Sequence, residues 1–207
     1  MKERVRQMGF GQYQFPLQRW IGAYEIYRID AVEIPEKDAF MIEVQKLINE
    51  GKLAAEGSLE VGVVTMYLRN HFKPTNVPKR LKDATQECGI WGILHRTARS
   101  FVEANRPAEL DLFDDMYESG LPRACFINFY GVDVISGVLP HRDHVSFCTI
   151  VLCLYGTGEG NLVLTKETGE PLPVSLTSNE LVVFARIHHS VNIVARSDKR
   201  ITLNAFF

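Results

Sequence analysis

Residues 139–144 read Leu-Pro-His-Arg-Asp-His, and within them His141 and Asp143 are spaced to begin a metal site. Side chains two apart in an extended segment point to one face, so this imidazole and this carboxylate converge while Arg142 and His144 point the other way. Two ligands do not hold a catalytic metal. The tail that opens at Glu180, Glu-Leu-Val-Val-Phe-Ala-Arg-Ile-His-His-Ser-Val, offers a third at His188 or His189. Two histidines and a carboxylate on one side of an ion leave its other positions open, the donor set that suits Fe(II) working with a cosubstrate and dioxygen.

Arg200 opens the last apolar run, Arg-Ile-Thr-Leu-Asn-Ala-Phe-Phe. Its permanent charge and planar fork suit a bidentate contact to a buried carboxylate, and Thr202 on the same strand face adds a hydroxyl. Position matters here. If 190–195 and 200–207 formed a simple hairpin, Arg200 would lie about 17 Å from His189 at strand rise, too far for a shared small ligand. The chain must therefore cross from one sheet to another between them.

A His-x-Asp pair, a distant histidine and then an arginine, in that order, resemble the Fe(II)/2-oxoglutarate-dependent dioxygenase superfamily from about Cys125 to the C-terminus. Further matches are Asn128-Phe-Tyr130, the glycine-led run Gly158-Glu-Gly-Asn-Leu-Val-Leu164 and Asn179-Glu-Leu-Val-Val-Phe184. In that family the distal histidine is commonly followed by a small residue and then Val or Ile, which selects His189-Ser190-Val191 over His188. The resemblance implies Fe(II) held by His141, Asp143 and His189. It also implies 2-oxoglutarate bound at the iron through its keto acid end, with its far carboxylate on Arg200 and Thr202. Asn128 and Tyr130 would reach the cosubstrate from a neighbouring strand, as Asn-x-Tyr does in AlkB-like members. The implied reaction decarboxylates 2-oxoglutarate to succinate and hydroxylates a substrate C–H bond.

Within the superfamily the tail is most similar to the AlkB-like and Tet/J-binding-protein-like branches. AlkB enzymes carry a second arginine six positions after the first, where this chain has Phe206, so the resemblance to repair-type dealkylation is weaker. The 48 positions between His141 and His189 and the 11 to Arg200 look closer to the compact Tet/J-binding-like members, which oxidise a methyl group on a pyrimidine. That branch implies DNA or RNA as partner, with the base withdrawn from its stack. Two other readings stay open: a hydroxylase of an amino acid, peptide or small metabolite, and a non-enzymatic cupin-like binding module. Arg142 and Arg186 read as rim or ion-pair residues within reach of substrate, and His144 as structural.

The elements that must position these residues follow from pattern. With 207 residues and 46% hydrophobic content the chain can bury one sizeable core, so one domain over 1–207 is expected. Residues 1–122 would support a core at 123–207. A net charge of -2 gives no global signal for a polyanion, so any nucleic-acid contact must come from a local patch. Such patches are the basic, aromatic stretch at 2–28 and the segment from Val61 to Lys82, which lacks acidic residues. Cys88, Cys125, Cys148 and Cys153 show no CxxC spacing and read as reduced thiols. No signal-peptide pattern and no apolar run of about 20 residues occurs, so a soluble cytoplasmic or nuclear protein is expected, with no membrane partner.

Apolar spacing and punctuation predict helices over 35–50, 89–105 and from Pro107 to Ser119, and a strand over 61–68. After Arg123 eight short β-rich runs follow: 124–130, 132–139, 145–154, 160–165, 171–176, 180–187, 190–195 and 200–207. The expected fold is α+β, a double-stranded β-helix (jelly-roll, cupin-like) core with N-terminal helices buttressing one sheet.

Overall fold

The computed structural model describes residues 6–10, 13–20, 26–29, 32–34, 37–49, 55–57, 64–69, 89–130, 136–143, 145, 147–165, 168–194 and 200–207. In chain order the strands are β1 (Arg6–Phe10), β2 (Tyr13–Trp20), β3 (Ile26–Ile29), β4 (Ala55–Gly57), β5 (Val64–Arg69), β6 (Ala124–Tyr130) and β7 (Ser136–Arg142). They continue with β8 (Thr149–Tyr155), β9 (Thr157–Thr165), β10 (Pro171–Thr177), β11 (Leu181–Phe184), β12 (His188–Val194) and β13 (Arg200–Phe206). The helices are α1 (Lys37–Asn49), α2 (Ile90–Asn105) and α3 (Leu110–Met116), the last entered through a 3-10 turn at Pro107–Glu109.

Two antiparallel sheets face one another. The larger has nine strands in the order β1-β2-β3-β11-β8-β13-β6-β5-β4, and the smaller has four in the order β10-β9-β12-β7. The centre of the larger sheet reads Thr-Ile-Val-Leu-Cys-Leu-Tyr in β8 and is buried on both faces, as a strand covered above and below must be. Its alternate residues go to different cores. Ile150, Leu152 and Leu154 join Phe40 of α1, Leu94 and Phe101 of α2, Phe113 of α3, and Leu203 and Ala205 of β13 beneath the helices. Val151 and Cys153 instead join Leu162, Leu164, Val174, Leu176, Val182 and Phe184 between the two sheets. No helix among the described residues is long and apolar enough to cross a membrane.

The crossover demanded by Arg200 is present: β12 belongs to the smaller sheet and β13, next in sequence, lies between β8 and β6 in the larger. Several boundaries differ from expectation. β7 runs on to Arg142 and β12 begins at His188 because each pairs with the other up to those residues. The expected third helix breaks into the 3-10 turn and α3. The strand expected at 61–68 is β5, which pairs with β6, and β3 pairs with β11, so the front half extends the larger sheet at both ends. Pairing those edges removes the exposed rows of N–H and C=O groups that the C-terminal strands would otherwise present. The described cysteines, Cys125, Cys148 and Cys153, are free and buried.

Helix α3 is short and held by one anchor. Phe113 is fully buried, with ring centroids 5.0 Å from Tyr117, 5.2 Å from Phe147 and 6.0 Å from Phe207, and it stacks at 5.5 Å on His95 of α2. That half-buried imidazole is a packing element, and burial holds its pKa below the usual value. Truncating Phe113 to Ala leaves a cavity that these rings cannot close. Urea denaturation should show a loss of about 3–5 kcal/mol for Phe113→Ala with little change in m value.

Candidate metal centre

The strand ends of the smaller sheet assemble the site. β7 and β12 are antiparallel with His141 opposite His189 and Arg142 opposite His188. Because side chains alternate, the histidine pair shares one face and Arg142 and His188 share the other. His189 is 7% exposed and half of a buried layer with Leu164, its partner on β9, whereas His188 and Arg142 are exposed. Asp143 follows immediately after β7, so its carboxylate turns into the space between the rings.

One ligand atom from each of His141, Asp143 and His189 lies within 4.8 Å of the others. Nε2 of His141 is 3.6 Å from Oδ1 of Asp143, and Nε2 of His189 is 3.4 Å from Oδ2. The two imidazoles stand 4.3 Å apart between centroids, inclined at 54°. Their other nitrogens are fixed by backbone: Nδ1 of His141 donates to the Leu139 carbonyl at 2.9 Å, and Nδ1 of His189 donates to the Ile187 carbonyl at 3.2 Å. A carbonyl can only accept, so both rings carry a proton on Nδ1 and turn Nε2 toward the carboxylate. Thr149 of β8 donates to Oδ2 of Asp143 at 2.8 Å and orients it from the facing sheet. Phe184 lies edge-on to His189 at 5.1 Å.

Protonation follows burial. The pKa of His189 is lowered, first by desolvation and then by the neighbouring His141, with Asp143 opposing. The ring is therefore held neutral, the form that can ligate a metal. Access is one-sided: the side chain of His141 is 45% exposed, that of Asp143 15% and that of His189 8%.

Arg200 lies on the facing sheet and is the largest fully buried side chain described. Its neighbours Ile201, Leu203 and Ala205 pack toward the helices, so Arg200, Thr202 and Asn204 point between the sheets. The guanidinium acts electrostatically on Cys153, whose thiol is pushed up by burial and pulled back by the Arg200 charge. Thr202 is 1% exposed and its hydroxyl has no hydrogen-bond partner among the described residues. Asn128 is buried at 7% and sits opposite Thr202 on β6. Tyr130 is the backbone partner of Arg200, its side chain being outside those described. His144, His71, Tyr24 and most of 61–82 also lie outside the described residues.

Three groups escaped sequence reasoning. Thr149 reaches Asp143 across a loop, Phe184 packs on a ligand from another strand, and Asn204 carries a buried Oδ1 with no partner among the described residues. Only Asn204 left a sequence signal, its even spacing from Arg200. The donor set fits Fe(II): two imidazole nitrogens and one carboxylate, grouped on one side, with a buried guanidinium and an unsatisfied hydroxyl on the facing sheet.

No protein-family model matches this sequence, and no curated protein matches it. Solved structures do. A prolyl-4-hydroxylase from Pseudomonas putida aligns over 89% of this chain and 92% of its own with 17% identity and a TM-score of 0.52. OsALKBH1 aligns over 92% and 99% with 16% identity and a TM-score of 0.55. The dioxygenase for auxin oxidation 1 from Arabidopsis thaliana, in its complex with 2-oxoglutarate, aligns over 87% and 82% with 16% identity and a TM-score of 0.58. The chain has the fold of the Fe(II)/2-oxoglutarate oxygenases, mixed helices and two antiparallel sheets, as the order of its residues implied.

The lowered pKa of His189 gives the metal-free protein a pH signature. Unfolded, the ring takes up a proton near its ordinary pKa of about 6.5, whereas folded it resists until lower pH. Its contribution to stability is thus complete above about pH 6.5 and is lost as pH falls toward the folded value. Denaturation of the metal-free protein between pH 7 and 5 should show stability declining, and His189→Gln should flatten that part of the profile; an unchanged slope in the variant would exclude this linkage.

Proposed function

We propose that this chain is an Fe(II)/2-oxoglutarate-dependent dioxygenase that hydroxylates a substrate C–H bond. The observation that carries the proposal is the convergence of His141, Asp143 and His189 at one end of the space between the sheets, with Arg200 buried on the facing sheet. In this reading the two sheets form a double-stranded β-helix, 1–207 act as one domain, and residues from 123 onward hold the site.

His141, Asp143 and His189 would hold the iron, and Arg200 with Thr202 would receive the far carboxylate of 2-oxoglutarate, assisted by Asn128 and Tyr130. Bound iron and 2-oxoglutarate together supply the oxidising power, the keto acid leaving as succinate and carbon dioxide while dioxygen is consumed. The chain's own groups prepare that chemistry. The Leu139 and Ile187 carbonyls fix both rings in the tautomer that binds metal, and Thr149 keeps Asp143 turned inward. Phe184, Leu164 and Val182 wall the deep side and exclude water from it, leaving approach to the His141 side.

The substrate we infer is a methyl group on a nucleobase in DNA or RNA, following the branch whose spacing the tail resembles. Hydroxylation of an amino acid, peptide or small metabolite would use the same centre and would show little dependence on salt, whereas a nucleic-acid substrate must lose affinity as salt rises.

Succinate formation from 2-oxoglutarate in the presence of Fe(II) and methylated oligonucleotides tests the activity. Arg200→Lys keeps a charge and loses the fork, so KM for 2-oxoglutarate should rise about 10- to 100-fold. Mn(II) and 2-oxoglutarate should raise the melting temperature of the native protein but not of His141→Ala. A melting temperature indifferent to both ligands in the native protein would leave the binding-module reading in possession.

A further inference from the structure

Arg142, Arg186 and His188 share a place that the proposed reaction does not use. All three are exposed, and none makes a hydrogen bond or ion pair among the described residues. Arg142 is the backbone partner of His188, and Arg186 lies two residues before it, at the end of the smaller sheet that carries the metal-ligand pair. Each is adjacent to, or two or three positions from, a residue of the triad, yet Arg142 and His188 face outward where His141 and His189 face inward.

Among the described residues, those facing outward beside them on β7, β12 and β9 carry no carboxylate, while exposed Glu170 adjoins Pro171 on β10, the opposite edge strand of the sheet. Facing outward beside His188 and Arg142 are Ser190 and Asn192 of β12, Val163 and Thr165 of β9, Pro140 of β7 and Pro171 and Pro173 of β10. No carboxylate is among these residues, although the chain carries 25 acidic residues against 23 basic ones. Arg142 and Arg186 thus place two exposed positive charges at one end of this sheet in a molecule of net charge -2.

Arg186 adds an independent observation. Its φ of 53° lies in the left-handed region, which a residue with a Cβ rarely adopts. Neither glycine nor asparagine stands there to relieve it. Strain of this kind clusters where a side chain is being aimed, and here it precedes the strand that delivers His189.

We propose that Arg142 and Arg186 form a phosphate-gripping rim that holds the backbone of a single-stranded nucleic acid while one of its bases enters toward the metal. The proposal deepens the nucleic-acid reading of the same site and rests on it. Size decides between a polymer and a small anion. A ligand that touches the inward Nε2 atoms and the outward guanidinium of Arg142 must wrap around the end of β7. A single metabolite bound beside the metal does not span that path, whereas a sugar-phosphate chain with one base turned inward does. Arginine is also the residue whose fork matches a phosphate.

Fluorescence anisotropy with labelled single-stranded DNA and RNA oligonucleotides tests this without turnover. The native protein should bind with an affinity that falls steeply between about 50 and 200 mM salt. Arg142→Ala and Arg186→Gly should each lower the salt slope by about 0.7, and together they should weaken binding at least about tenfold at low salt. Arg186→Gly relieves the backbone strain as it removes the charge, so a melting temperature that holds or rises while affinity falls identifies lost contact rather than lost fold. Unchanged affinity or unchanged salt slope in the double variant overturns the rim. So does stabilisation by inorganic phosphate with no oligonucleotide binding, which would make it a small-anion site. The melting response of the native protein to Mn(II) and 2-oxoglutarate reports on the oxygenase reading separately: if that response is present and oligonucleotides do not bind, the rim alone fails.

Discussion

The pairing of β7 with β12 is the constraint on which the site depends. His141 stands opposite His189 only in the observed register, and a slip of one residue would turn Arg142 or His188 inward in place of a ligand. The register is held from both sides of β12. His189 and Val191 pair with Leu164 and Leu162 of β9, which are buried between the sheets and anchored by β10 through Val174 and Leu172. Exposing Leu162 and Leu164 would forfeit about 1.5–3 kcal/mol each, and burying Arg142 without a counter-charge would add several more. The apolar neighbours thus fix the histidines; the ligands have only to occupy the right parity.

The second constraint is the passage from the smaller sheet to the larger. β13 is inserted between β8 and β6, with seven backbone partners along β6, so Arg200 enters the interior on one of the best-supported strands in the molecule. Two imidazoles and a carboxylate thus stand at the smaller sheet, a buried guanidinium and hydroxyl point inward from the larger, and the hydrogen bond from Thr149 to Asp143 links the two walls. A long polar side chain such as Arg200 is placed accurately when its backbone has no freedom, which is why a core strand rather than a loop carries it.

What sequence could reveal was set by the range of the interaction. His141 and Asp143 were legible because a two-residue spacing in a strand is a local rule, and Arg200 and Thr202 because the same rule governs the last strand. The choice of His189 over His188 came from resemblance; in the structure the burial of one and exposure of the other separate them. The crossing between sheets could be required from distance alone. β5 was legible over 61–68 from its β-branched content, whereas β3 is defined by pairing with β11, more than 150 positions away. Thr149 was hidden for the same reason: its partner Asp143 lies across a loop, and nothing in six residues of spacing announces a hydrogen bond.

Charge is consistent with the proposed dicarboxylic cosubstrate. The interior holds one carboxylate at Asp143, a neutral ring at His189 and a second ring at His141 whose donor is fixed outward. Across the cavity stands the permanent charge of Arg200, 1% exposed. In a region shielded from water charges are stable only when balanced, so the proposed loaded state should be close to neutral. A divalent cation in the triad leaves that centre with a net charge of one positive unit, and Arg200 contributes another. A monoanionic ligand would neutralise only half of this, and a neutral one none. A dianion with its charges at opposite ends, one at the metal and one at the guanidinium, balances both at once, and 2-oxoglutarate has that length and charge. Outside, on the other face of the same strands, Arg142 obeys the opposite condition: water supports its charge, and it can wait for an anion without cost to the fold.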